Sequence, residues 1–598
     1  MSDLLLGLAS IIILGIGAEW LAWRLHLPSI LLLLVFGFVA GPVTGFLNPD
    51  GLFGDLLLPL VSLSVAVILF EGGLNLKFAE LRQIGGVVRN LITVGLLITW
   101  LIGASAAYFL LGLDLALAVL LGAILVVTGP TVIVPLLRHL RPSGRVGSIL
   151  KWEGIVIDPI GVVLAVLVFE AIIASGPQEA TTLVIAGLLK TVLAGGVIGA
   201  LGAIIVVLLL RAYRAPDFLH SAITLAVVIG AFTASNRFQP ESGLLAATVM
   251  GIALANQKSV SVRRIIEFKE NIRVILISSL FILLAARLQM DDLTQIVGLG
   301  SLGFLLVLML AARPLSMVLS TIRSGLSWRE RLFLSWMAPR GIVAAAVASI
   351  FALRLVEAGH PQAELLVPLV FVVIVGTVAV YGLSASPLAK WLKVAQPNPQ
   401  GVLIIGAHSW ARSIAASLKA EGYKVLVVDA NWANISSARM AGLPTFYANI
   451  LSQYALDEIE LGGIGHLLAL TSDNEFNSLA MLQFASIFGR ARVYQLTSDS
   501  DERGGKKTVS QHLRGRPLFR PGITYSQLSS RVAAGAVIKT TSLTDDFDYD
   551  AFQGYYGGLA VPLFLVDKNG DLTVFTIDRP PQPQPGQKLI SLINPTSA

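Results

Sequence analysis

From Leu4 to about Lys393 the chain alternates between apolar stretches of roughly 18–30 residues and short loops that carry charge, Gly or Pro. A helix needs about 20 such residues to cross the hydrocarbon of a bilayer, so each stretch predicts one membrane helix. About thirteen spans are predicted, at 4–23, 28–47, 54–71, 84–111, 114–136, 149–174, 180–210, 217–235, 242–256, 271–288, 293–312, 331–353 and 363–389. Beyond Lys393 the pattern changes. Gln396-Pro-Asn-Pro-Gln400 reads as a linker within residues 394–400, after which short Val/Ile/Leu runs alternate with polar helical stretches. Strands are predicted at Gly401–Ile405, Val425–Asp429, Thr445–Ala448, His466–Thr471 and Val493–Thr497, with a helix over Ser409–Gly422 and a hairpin over Ala560–Thr576 that turns at Lys568-Asn-Gly-Asp571. The expected fold is therefore an all-α membrane domain over residues 1–393, followed by a Rossmann-like α/β domain over 401–510 and a small α/β lobe over 511–598. Residues 503–530, with Gly504-Gly-Lys-Lys507, are expected to form a loop or hinge between the two lobes.

Composition strengthens the membrane reading. Of 598 residues, 55% are hydrophobic and 13% charged, against about 25% charged in soluble domains, and the mean hydropathy is +0.77. Met1-Ser2-Asp3 lacks a basic leader and the run from Leu4 to Trp23 can span, so it is expected to be the first helix and not a cleaved signal. The absence of cysteine excludes disulfides, thiol catalysis and Cys-type metal sites, and the seven His show no HExxH or HxH spacing. The net charge of +6 lies in alternate loops and implies no nucleic-acid partner. Arg24, then Lys77, Arg82 and Arg89, then Arg138, Arg141, Arg145 and Lys151, then Arg211 and Arg214, then the basic run from Lys258 to Arg273, then Arg313, Arg323, Arg329 and Arg331 fall on one side, with little beyond Arg237 and Arg354 on the other. Because Lys and Arg concentrate in cytoplasmic loops, the N-terminus is expected outside, and an odd number of spans leaves everything after Trp391 in the cytoplasm of a prokaryotic cell.

An ionisable side chain inside a span costs about 2.5–3.5 kcal/mol, so each one is a functional candidate. They are Glu71, Glu153, Asp158, Lys190, Arg287 and Arg340. Asp158 is the leading one: it precedes Pro159 and an apolar run to Phe169, so no loop is near enough to hydrate it. A carboxylate so placed binds a cation, pairs with a base or takes up a proton, and competition between the first and last of these is the basis of exchange. Glu153, five residues earlier and about 140° round the helix, cannot share a face with it. Arg340 is the obvious partner for Glu153, as a structural pair locking two helices; the alternative is a second proton carrier. Two spans carry helix breakers at mid-membrane depth: Thr128-Gly129-Pro130-Thr131, which orphans the Val126 carbonyl, and Pro339-Arg340-Gly341, which orphans that of Ser335. They occupy matching positions if the seventh span links two six-helix repeats, and broken helices so related point to an ion site.

Phe70-Glu-Gly-Gly-Leu74, Thr128-Gly-Pro-Thr131, Glu153-Gly-Ile-Val-Ile-Asp158-Pro and Ala338-Pro-Arg-Gly-Ile-Val343 together resemble the NhaP-type sodium/proton antiporters, across the whole membrane part. The resemblance implies thirteen helices, inverted repeats, a homodimer among membrane lipids, and Asp158 as the group that binds Na⁺ or K⁺ in competition with H⁺. It further implies that Thr128 and Glu71 help hold the ion and that Glu153 pairs with Arg340. This chain departs from many relatives at Ile157, Gly129 and Gly154, where Asn, Asp and Ser would add oxygen ligands. The single carboxylate suggests one proton per cation and electroneutral exchange.

In the α/β domain, Ile405-Gly406-Ala-His408-Ser-Trp-Ala411 has the outline of a dinucleotide fingerprint with His408 in place of the second Gly, and Asp429 ends the next strand where an acidic residue meets a ribose. With Thr471-Ser-Asp473-Asn474, the domain resembles the TrkA-N or RCK domains that regulate potassium channels and transporters. Gly406, His408, Asp429 and Asp473 are the candidate nucleotide contacts. No cofactor is required; a regulatory nucleotide, NAD(H) or AMP/ATP, or a fold without ligand that serves dimerisation, are the open readings, because His408 crowds a pyrophosphate. An anchored dehydrogenase fails on economy, since one helix would anchor it. The alternative to an exchanger is a ligand-gated K⁺ efflux system controlled by the RCK-like part, although no TVGYG-like filter occurs.

Overall fold

A computed structural model of the chain describes residues 2–594 apart from 26, 141, 143–144, 174–176, 212–214, 261, 291–295, 297, 395–398, 453, 456–458, 460 and 498–513. Arg141 and Arg214, most of the Gln396–Gln400 linker, and the Gly504–Lys507 part of the expected hinge lie outside the described residues. The chain divides into two compact units, Met1–Pro397 and Asn398–Ala598.

The described elements of the first unit are all helices. Its described helices group into thirteen successive spans, of which the fifth and twelfth are interrupted. Among the described residues eight helices are long and apolar enough to cross a membrane, and four shorter apolar ones, Ser29–Val43, Leu115–Ile124, Ser242–Asn256 and Ile272–Ala286, complete most of the remaining spans. Large side chains such as Phe109, Leu208 and Leu299 stand exposed on the outside of this unit, as lipid-facing residues do, while Phe281, Phe304, Phe333 and Tyr381 are fully buried within it. Small residues bring helices into backbone contact: a Cβ on Gly73 would lie 2.7 Å from the Thr248 carbonyl oxygen, so the third and ninth spans can touch only through glycine. The sixth span, Val146–Ile173, stays helical through Pro159 and is buried along most of its length, which suits a central position. The eleventh span contains a π-helical segment, Leu308–Ala312, directly before Arg313, and continues as α-helix to Thr321.

The second unit holds two sheets. Six parallel strands run in the order β3-β2-β1-β4-β5-β6: β1 Gly401–Ile405, β2 Val425–Asp429, β3 Thr445–Tyr447, β4 Ile464–Ala469, β5 Val493–Gln495 and β6 Arg516–Pro517. Their continuous Val, Ile and Leu runs suit strands covered on both faces. Four antiparallel strands, β7 Val537–Ser542, β8 Val561–Val566, β9 Leu572–Val574 and β10 Lys588–Ile593, run in the order β7-β10-β8-β9. The β8–β9 hairpin turns at Gly570, whose φ of +83° favours glycine. Val402, Ile404, Leu468, Val561, Leu563 and Phe564 share one core, so the antiparallel sheet packs on the face of the parallel one.

Candidate functional site

The two interrupted spans are built alike. In the fifth, Asp114 accepts the Leu117 amide at 2.7 Å and starts Leu115–Ile124, and Pro130 opens the second half, Pro130–Leu140, where its missing N–H leaves no bond unmade. In the twelfth, Ser327 and Glu330 form a capping box that starts Trp328–Trp336, and Ile342–Glu357 resumes after the break. The non-helical segments between the halves cross. The Gly129 amide donates to the Pro339 carbonyl at 3.0 Å, and a Cβ on either Gly129 or Gly341 would run into the Cα of the other. Hydrogen is the only side chain both positions accept.

Each break strands carbonyls at the end of its first half-helix, and an arginine serves each set. The Arg340 guanidinium donates to the Val126 carbonyl at 3.1 Å and the Val127 carbonyl at 3.2 Å; Nε of Arg313 donates to the Leu334 carbonyl at 3.0 Å. Fixed positive charge thereby meets the negative end of both half-helices. The expected pairing of Glu153 with Arg340 is corrected here. Glu153 is engaged by Arg313, whose NH1 and NH2 each reach one carboxylate oxygen, NH2 to Oε2 at 2.9 Å, with both residues 4% exposed. Arg340 is already committed to the two carbonyls, whereas the fork of Arg313 can satisfy both carboxylate oxygens and a carbonyl at once.

Asp158 faces the crossing. Gly154, Asp158 and Gly161 lie on one side of the sixth span by helical spacing. A Cβ on Gly154 would stand 3.7 Å from Pro130 Cα, and one on Gly161 would stand 3.5 Å from the Val127 amide nitrogen. Asp158, between them, is therefore directed at Thr128 and Gly129. It is fully buried, and neither carboxylate oxygen has a hydrogen-bond partner among the described residues. The same holds for the hydroxyls of Thr128 and Thr131, 4% and 3% exposed. Burying polar atoms without partners costs several kcal/mol, so a cluster of them around one carboxylate is the mark of a site for a small ligand. Thr131 was not among the sequence candidates; the hydroxyl two positions after Gly129 was the available signal. Its Oγ1 lies 3.3 Å from the place a Cβ on Gly341 would take, so it belongs to the same crossing.

Glu71, the remaining ion-ligand candidate, is 3% exposed and its carboxylate is held by Arg273 at 3.0 Å. The pair lines a small crevice with Ser221 and Thr224. The neighbouring Gly72 packs against Ile155, three residues before Asp158, at 3.2 Å from its built Cβ to Cγ1.

In the α/β unit the candidate nucleotide contacts all lie at the carboxyl ends of the parallel strands, and their side chains are engaged locally. Gly406 turns at φ +102°. His408 Nε2 bonds the Leu470 carbonyl at 2.8 Å. Asp429 accepts from the Ala407 amide and the Asn431 amide, both at 2.8 Å, and from the Asn434 side chain at 2.9 Å. Asp473 caps the helix Asn474–Phe488, accepting from the Phe476 amide at 2.9 Å.

Comparison with known proteins agrees with both units. The family of sodium/hydrogen exchanger transmembrane domains matches residues 8–391, and the TrkA-N domain family matches residues 402–509. The K⁺/H⁺ antiporter NhaP of Alkalimonas amylolytica is 28% identical over 400 residues, 65% of this chain and 67% of that protein. The Na⁺/H⁺ antiporter 1 of Methanocaldococcus jannaschii is 27% identical over 370 residues, 57% of this chain and 81% of its own. Among solved structures, the sodium proton antiporter MjNhaP1 of that organism matches with a TM-score of 0.55 at 22% identity, covering 65% of this chain and 99% of the other. A membrane unit matched along nearly its whole length, with two crossed interrupted spans at its centre, places this chain in the sodium/hydrogen exchanger family, carrying a TrkA-N domain after its last span.

Proposed function

We propose that the chain is a secondary transporter, not an enzyme, that exchanges Na⁺ or K⁺ for H⁺ by alternating access, with Asp158 as the shared seat. The observation that carries this is the Asp158 carboxylate, fully buried with both oxygens unpartnered among the described residues, on the span whose Gly154 and Gly161 pack against the break that bears the equally unpartnered hydroxyls of Thr128 and Thr131. A bare carboxylate in such surroundings is not tolerated, so it holds either a proton or a cation and each displaces the other. The hydroxyls add neutral oxygen ligands suited to an alkali ion. With Arg340 and Arg313 already bound to carbonyls and to Glu153, Asp158 is the group left to carry the exchanged charge. One carboxylate then moves one proton against one cation, and the exchange is electroneutral. Glu71, on a neighbouring helix, is balanced by Arg273 and so adds no second exchanged charge. The relatives named for K⁺/H⁺ and Na⁺/H⁺ antiport support this reading.

The test is a proton-flux assay in liposomes that ranks Na⁺, K⁺ and Li⁺ across pH. Asp158→Asn is expected to lose saturable exchange with every cation. A variant that still moves K⁺ at the wild-type rate excludes exchange at Asp158 and favours a channel. In the proposed orientation the N-terminus is outside and the TrkA-N domain lies in the cytoplasm, where it regulates the membrane unit. Because the chain has no cysteine, single cysteines introduced at Arg237 and Arg323 report sidedness without background, the first labelled from outside and the second from inside.

A further inference from the structure

In a parallel sheet of order β3-β2-β1-β4-β5-β6, the strand order reverses between β1 and β4, and the crevice outside their carboxyl ends is where a dinucleotide lays its pyrophosphate. Three features of that binding mode are set by chemistry: a glycine-lined approach for the phosphates, free amides at the start of the helix, and an acidic residue on β2 for the ribose. Here the phosphate approach and the acidic residue are each taken by the chain itself, and so is the loop amide of Ala407, two residues before the helix Ser409–Ala420. His408, at the position where a glycine would let the phosphates approach, reaches from the loop after β1 to the carbonyl of Leu470 just after β4, at 2.8 Å. A carbonyl only accepts, so Nε2 carries the proton and the bond ties the two lips of the crevice together. The ring is also packed in place, 4.3 Å from Trp410 and 5.0 Å from Tyr525 by ring centroids. The Ala407 amide donates to Asp429 at 2.8 Å, while Arg412 donates to the Ala407 carbonyl at 2.7 Å. The carboxylate meant for a ribose therefore closes back on the fingerprint loop.

We infer that His408 is a latch across the β1–β4 crevice that excludes dinucleotides from this TrkA-N domain, and that it is the residue determining this specificity. The inference rests on the TrkA-N match and on this geometry, and is independent of exchange at Asp158. The probes are NADH and NAD⁺, titrated against the purified full-length protein by calorimetry and by NADH fluorescence, which read binding and not transport. Wild type is expected to show no saturable binding of either. His408→Gly, which removes the ring and restores the close approach, is expected to bind NADH at least about tenfold more tightly than wild type. His408→Ala serves as the second variant should glycine loosen the loop, with thermal melting to show that each is folded. Saturable binding of NADH to wild type with micromolar affinity overturns the inference without any variant. So does a folded His408→Gly or His408→Ala protein whose NADH affinity is no higher than wild type.

Discussion

Removal of the Arg313 guanidinium gives the sharpest test of how the membrane core is assembled. Arg313→Leu leaves Glu153, 4% exposed, without the two donors it now has, and frees the Leu334 carbonyl. Stranding a buried charge by removing its partner costs about 3–5 kcal/mol, and losing a buried carbonyl's bond adds about 1 kcal/mol. Arg313→Leu alone should therefore destabilise by about 4–6 kcal/mol. Adding Glu153→Leu removes the stranded charge, and a buried ion pair replaced by apolar side chains is often close to neutral. The double variant should then recover most of the loss and leave about 1–2 kcal/mol, chiefly the carbonyl. The same cycle run with Arg340→Leu should show little coupling to Glu153, because Arg340 bonds Val126 and Val127 instead. Reversible unfolding of the purified protein in mixed micelles, followed by tryptophan fluorescence, measures all five variants. A double variant as unstable as Arg313→Leu alone, or stronger coupling of Glu153 to Arg340 than to Arg313, refutes the reasoning.

Three further predictions concern other parts of the chain. Thr131→Val removes a buried hydroxyl that has no partner among the described residues, so the melting temperature should hold or rise while the cation KM increases severalfold; a lower melting temperature with unchanged KM argues against a ligand role. Gly341→Ala places a methyl group against Gly129 Cα, and exchange should fall by at least about tenfold as the crossing is forced apart, since a displacement of about 1 Å at such a site costs up to about a hundredfold. In the α/β unit, burial and then nearby Arg492 push the His466 imidazole down to about 4 from its usual 6.5. The folded state thus binds fewer protons than the unfolded one between those values, so stability is full above pH 6.5 and falls by about 3 kcal/mol on acidification to pH 4. Hydrogen exchange at the β4 amides of the full-length protein should accelerate over that window, and His466→Phe should flatten the dependence.

How far the sequence carried depended on whether a signal was local. Apolar length marks a span and runs of Val and Ile mark a buried strand, so β1 and β2 begin and end where expected, and the orphaned Val126 carbonyl inferred from Pro130 is the one Arg340 serves. Arg313 was misread. It follows an apolar stretch ending at residue 312 and passes for a loop charge on an inner flank, yet the helix continues to Thr321 and buries it. Nothing near Arg313 in the chain announces Glu153, which is 160 positions away. An Arg was correctly expected to pair with Glu153, but choosing between two arginines requires knowing which carbonyls each break orphans, and that is a three-dimensional fact. The side-chain engagements of Asp429 and Asp473 were similarly out of reach, because an acidic residue at a strand end reads the same whether it awaits a ribose or closes on its own backbone.

The hydrogen bond from Gly129 to Pro339 has a mechanical consequence. Two segments joined backbone to backbone, with no side chain between them to slide or rotate, cannot separate during a transport cycle without breaking that bond away from water. The floor of the proposed ion seat therefore has to travel as a single rigid piece, and whatever opens it to one face of the membrane and then the other must be slippage at the outer edges of this block. Substitutions that tune turnover without touching cation affinity should accumulate along those edges.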